Sequence, residues 1–107
     1  MIEKLLHISL LFDFYGQLLT PKQCELVELY FLNDLSLGEL ADEFGVSRQA
    51  IHDILRRARD TLEEYEGKLH LVQRHLDQQA QLREVDRLLA ENQVETARRL
   101  VAELLRE

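Results

Sequence analysis

One glycine between two short amphipathic stretches constrains this chain more than any other feature. Leu37 to Arg56 reads LGELADEFGVSRQAIHDILR, which is the spacing of a helix-turn-helix. Leu40 and Phe44 fall on one face of a first helix, and Ala41 is small where a second helix must cross close by. Gly45 stands where the turn demands a left-handed backbone, a conformation that a residue with a side chain reaches only at a cost. Val46 is expected to bury in the turn, and Ile51, Ile54 and Leu55 give the second helix its inward stripe. Ser47, Arg48, Gln49, His52, Asp53 and Arg56 are left on the side that meets a partner. Some units of this kind contact only protein, so the pattern specifies fold more tightly than partner.

Capping signals place the helix boundaries. Ser36 with Glu39 three residues on is a capping box, and Ser47 opens the next helix after Gly45 closes the last. Thr20-Pro21-Lys22-Gln23 offers a cap, a proline at the first helical position and a glutamine that reaches back. The helix starting there is expected to run to about Leu32, with Asn33-Asp34 as the turn. Leu5, Ile8, Leu11, Phe12 and Tyr15 recur at three- and four-residue intervals, which predicts a helix from Ile2 that ends near Gly16 to Leu19. No stretch carries a strand pattern. The expected fold class is all-α: a helix-turn-helix domain of about four helices over residues 1–66, then a C-terminal helical extension over residues 67–107.

A second pattern runs out of the helix-turn-helix itself. Ile51, Leu55, Ala58, Leu62, Tyr65, Leu69, Val72 and Leu76 recur at alternating steps of four and three, a heptad seam that something must cover. Gly67 lies off the seam and marks a candidate joint. The phase is lost across Asp77-Gln78-Gln79-Ala80-Gln81, where a bend is expected, and Leu82, Val85, Leu88 and Leu89 restart on another face. Asn92-Gln93-Val94-Glu95 reads as a further capping box that begins a last helix bearing Ala97, Leu100, Val101, Leu104 and Leu105. From Lys68 to Glu107 seven basic and seven acidic residues balance, which suits helix packing between two copies. The expectation is a homodimer joined through Leu62, Tyr65, Leu69, Val72 and Leu76; the alternative is that the last two helices cover the seam within one chain.

Charge bears on the partner. Thirteen basic and twenty acidic residues give a net −7, which repels phosphate at long range. Between Ser47 and Arg59, however, Arg48, Arg56, Arg57 and Arg59 face Asp53 alone, and the presenting helix is locally +3. Asp60, Glu63, Glu64 and Glu66 follow at once and read as a solvated face. The candidate nucleic-acid contacts are Ser47, Arg48, Gln49, His52, Arg56 and Arg57, since Arg and Gln make paired hydrogen bonds to base edges. Phe12, Phe14, Tyr15, Tyr30, Phe31, Phe44 and Tyr65 recur at helical intervals and are expected in the core rather than as a platform for stacking bases.

Enzymatic chemistry finds no purchase. Gly16, Gly38, Gly45 and Gly67 are too scattered for a phosphate-cradling loop, and His7, His52, His70 and His75 include no pair one turn apart for a metal. No cofactor, metal or catalytic group is expected. The lone Cys24 fits a small core position in a reducing compartment. Glu3, Lys4, His7 and Asp13 interrupt the only apolar run near the start, so neither a signal peptide nor a membrane span is expected, and the cytoplasm is the expected location.

Three segments in order, LLFDFYGQLLTPKQ, ELYFLNDLSLGELADEFGVSRQAIHD and LEEYEGKL, resemble the bacterial YlxM-like family of helix-turn-helix proteins, whose core is similar to region 4 of sigma-70-type sigma factors. The resemblance spans roughly residues 2 to 76. It implies association with the signal recognition particle pathway, because the family's genes lie beside that of the particle's GTPase subunit or its receptor, and a regulatory or accessory role there. On the sigma-like comparison the helix from Arg48 is the recognition element. Two classes of function stay open: a module that binds nucleic acid, as a regulator on promoter DNA or on the particle's RNA, and a protein adaptor that docks on the GTPase.

Overall fold

Six α-helices account for nearly all of residues 2–106, the part of the chain that the computed structural model describes. Among the described residues there is no strand. Helix α1, Ile2–Tyr15, tightens into a 3-10 turn at Gly16–Leu18. The Thr20 hydroxyl then accepts from the Gln23 N–H at 3.2 Å while the Gln23 side chain accepts from the Thr20 N–H at 3.1 Å, starting α2, Pro21–Val27. Beyond Val27 the helix widens into a π-helical turn, Glu28–Leu32, in which the Asn33 N–H donates to the Glu28 carbonyl at 3.0 Å. Asp34 is left-handed at φ 61, and its reversal lets the Leu35 N–H donate back to the Leu29 carbonyl.

The helix-turn-helix forms as its spacing predicts. Ser36 and Glu39 make the second reciprocal cap, opening α3, Leu37–Phe44. Gly45 closes it at φ 66, with the Val46 N–H donating to Ala41 at 3.1 Å, and Ser47 caps α4, Arg48–Leu69, by accepting from the Ala50 N–H. Leu11, Leu26, Leu40, Ile51, Ala58 and Leu62 have no exposed surface and form the centre of the core, with Tyr15 and Val27 beside them. Cys24 packs against it, partly buried.

The two glycines of α3–α4 with open space around them test the backbone argument with opposite signs. A Cβ on Gly45 or on Gly67 meets nothing within 4 Å. Gly45→Ala is expected to destabilise by about 1 kcal/mol, because only its left-handed φ is lost to strain. Gly67→Ala, inside an exposed helical turn, is expected to stabilise by about 0.5–1 kcal/mol. Urea unfolding of both variants checks the pair, and equal signs would contradict it.

Several expectations are corrected. Gly67 is no joint: α4 runs through it, and the break falls at His70, left-handed at φ 55, where the His70 N–H closes on the Glu66 carbonyl. Helix α5, Leu71–Ala90, begins at once and continues through residues 77–81 as one helix, so loss of hydrophobic phase there produces no break. Asn92 is not part of a cap on α6, Val94–Leu105. It is the left-handed residue at φ 60 that ends α5, letting the Gln93 N–H reach the Leu88 carbonyl at 2.8 Å, and Gln93 stands as the N-cap of α6 without a side-chain capping bond, its amide donating instead to Glu91. Phe14 is exposed rather than core. One helix face holds only so many residues, and Ile8, Leu11 and Tyr15 already fill it.

The chain divides into two compact units, residues 1–72 and 73–107. The first reaches past residue 66 because Val72 belongs to its buried core. In the second, Leu88 and Ala97 are buried.

Candidate functional site

Burial of Ile51, Leu55, Ala58 and Leu62 fixes which way α4 faces, and the opposite side is open. Ser47, Arg48, Gln49, His52, Arg56 and Arg57 are all exposed. They do not all stand clear of the protein. The Arg48 guanidinium lies across the first turn of α3, where a Cβ on Gly38 would come within 3.0 Å of its Nη2. Gly38 thus makes room for the arginine.

Asp53 occupies the middle of the same face, half-buried, one turn after Gln49 and one turn before Arg56 and Arg57. Gln49 Nε2 donates to Asp53 Oδ1 at 3.0 Å, and the same oxygen lies 3.8 Å from His52 Nδ1 and from Arg56 Nη2. Three of the six presenting side chains therefore converge on one carboxylate. Arg48, Arg57 and Arg59 form no ion pair among the described residues.

The acidic run after Arg59 is more than a solvated face. Glu63 Oε1 pairs with His7 Nε2 of α1 at 2.8 Å. Glu66 turns inward, where its Oε1 accepts from the Tyr15 hydroxyl at 2.5 Å and from the Val72 N–H at 2.9 Å. The Tyr15 oxygen in turn accepts from the Leu71 N–H at 3.1 Å. Two side chains from α1 and α4 thereby satisfy the first N–H groups of α5, which a helix cannot pair within itself. Burial pushes the Tyr15 phenol above its ordinary range, and its hydrogen bond to the Glu66 carboxylate adds to the shift.

The heptad seam does not survive as one stripe. Leu62 and Val72 are buried in the first unit, and Tyr65 is partly buried with its ring stacked on Tyr15 at 6.0 Å between centroids. Leu69 and Leu76 retain exposed surface. The left-handed His70 breaks the helical phase on which a continuous seam depends.

The sequence places Asp53 on the partner-facing side but not as the centre of a cluster, and it does not single out Glu66, Tyr15 or Gly38 as interacting groups. For Asp53 the signal was present: Gln49 to Asp53 and Asp53 to Arg56 are helix-neighbour spacings. For the Tyr15–Glu66 cluster no local signal exists, since its members lie far apart in the chain.

A family profile described as "UPF0122: Putative helix-turn-helix protein, YlxM / p13 like" matches residues 2–101. The chain belongs to this family. Its similarity to individual members is high: it is 48% identical over 93 residues to a UPF0122 protein of Bacillus mycoides (strain KBAB4), covering 87% of this chain and 84% of that protein. UPF0122 proteins of Bacillus thuringiensis (strain Al Hakam) and Bacillus cereus (strain 03BB102) are 47% identical over the same span. The YlxM-like match extends past the helix-turn-helix and past residue 76 into α6. Among the described residues no helix is long and apolar enough to cross a membrane, and no three His, Cys, Asp or Glu side chains gather as metal ligands do.

Proposed function

We propose that this YlxM-like protein is a regulatory or accessory component of the signal recognition particle pathway, and that it binds nucleic acid, the particle's RNA or DNA, through the outward face of α4. The observation that carries the reading is the open presentation of Ser47, Arg48, Gln49, His52, Arg56 and Arg57 on a helix whose other side is locked into the core. Arginine and glutamine on such a face reach base edges with paired donors and acceptors, and the locally positive helix supplies phosphate contacts. The pathway assignment rests on the family resemblance.

A second reading, a protein adaptor docking on the particle's GTPase, is favoured by one observation. Asp53, Asp60 and Glu64 lie on the same helix as the arginines in a chain of net −7, a mixture suited to a charged protein surface. A salt titration against particle RNA and against an arbitrary duplex separates the two. Binding whose logarithm falls steeply with the logarithm of salt supports nucleic acid. Capture of the GTPase without RNA, with no nucleic-acid binding at low salt, supports the adaptor.

The same proposal gives the C-terminal extension the role of joining two copies, with Leu69 and Leu76 as the seam residues left exposed. Sedimentation at micromolar concentration is expected to show a dimer. A single monomeric species would remove that part.

A further inference from the structure

The recognition face carries its own anion. One Asp53 oxygen accepts from Gln49 Nε2 at 3.0 Å and lies 3.8 Å from His52 and Arg56, so one donor of this face is hydrogen-bonded and two cationic or imidazole groups are held near a carboxylate in the free protein, while Arg48 and Arg57 have no ion pair among the described residues. A phosphate approaching this face must displace a carboxylate and is repelled by it. A base edge fares differently, because a carboxylate accepts from an exocyclic amino group such as cytosine N4 while Gln49 and Arg56 turn to neighbouring positions.

We propose that Asp53 is the selectivity determinant of the α4 face: its carboxylate holds Gln49, His52 and Arg56 back from bare phosphate and releases them to a partner that offers a hydrogen-bond donor in its place. This rests on the nucleic-acid reading above. Asp60 supplies the internal comparison, since it stands two turns further along the exposed side of α4 with no pairing among the described residues, so removing its charge alters the field without freeing any donor.

The test measures fluorescence anisotropy of an arbitrary-sequence duplex with the full chain, the Asp53→Asn variant and the Asp60→Asn variant, over a series of salt concentrations. Asp53→Asn is expected to bind about five- to tenfold more tightly at low salt, with a salt slope steeper by about one, as a freed arginine gains a phosphate. Asp60→Asn is expected to gain less than about twofold. Equal gains for both variants would mean that charge alone acts and would overturn the role of the held donors. No gain for Asp53→Asn, while removal of Arg48, Arg56 and Arg57 abolishes binding, would overturn the proposal and leave the nucleic-acid reading standing. If none of the proteins binds duplex or particle RNA at low salt, both fall together.

Discussion

Changing Arg48, Arg56 and Arg57 together to alanine is expected to weaken binding to duplex DNA and to particle RNA about a hundredfold or more at low salt, with little change in the unfolding curve. Each charge-assisted contact to a base edge or phosphate contributes about 1–3 kcal/mol, and about 1.4 kcal/mol is a factor of ten, so three contacts at the low end already reach that range. The salt slope should fall by roughly three, because each lost arginine releases one counterion fewer. Stability should move only slightly. All three side chains are exposed, and where Arg48 lies against Gly38 an alanine leaves the glycine free. Anisotropy across a salt series, with denaturant unfolding of the same variant, checks both halves. Unchanged affinity in a folded variant would show that the α4 face is not where the polyanion sits.

The second large effect is on stability and comes from the junction of α4 and α5. Glu66→Ala removes the acceptor for the Tyr15 hydroxyl and for the Val72 N–H at once, stranding two donors in a part-buried site. The loss is expected to be about 2–4 kcal/mol. Tyr15→Phe keeps the ring stacked on Tyr65 and removes only the hydroxyl, so about 1 kcal/mol is expected there. The double variant should cost less than the sum, since both substitutions break one shared bond.

Alkali separates this cluster from ordinary packing. Because the folded protein holds the Tyr15 phenol above 10.0, its stabilisation is complete below pH 10 and is lost as pH rises through the raised value. The wild-type protein should therefore lose stability more steeply above pH 10 than Tyr15→Phe does. Parallel curves would contradict the cluster's part in holding the fold.

How much of this was legible in the linear chain depends on distance along it. The two capping boxes at Thr20 and Ser36, the left-handed Gly45 and the Ser47 cap are written in neighbouring residues, and each formed as spacing required. Left-handed positions without glycine were not legible as stops. Asn33-Asp34 reads as a turn in the sequence, whereas His70 and Asn92 carry no stop signal, because a non-glycine residue takes positive φ only when surrounding contacts compensate. At His70 that compensation includes the Tyr15–Glu66 pair, whose members meet only after α1 and α4 have packed.

The same limit shaped the reading of the site. Side-chain identities on the α4 face followed from helical period alone, yet the convergence on Asp53 depends on rotamers, which period does not specify. The seam from Leu62 to Leu76 has a regular period, but the left-handed His70 interrupts the helix that would carry it. Once His70 turns the backbone, Leu62 and Val72 face the first unit's core while Leu69 and Leu76 keep exposed surface.

Backbone amide chemical-shift mapping on the full chain, during titration with particle RNA and separately with an arbitrary duplex, tests the α4 face most directly. The account predicts that the largest changes cluster at Ser47, Arg48, Gln49, His52, Arg56 and Arg57, with the buried stripe of Ile51, Leu55 and Leu62 moving little. Changes confined to other helices, or none at either ligand at low salt, would contradict it.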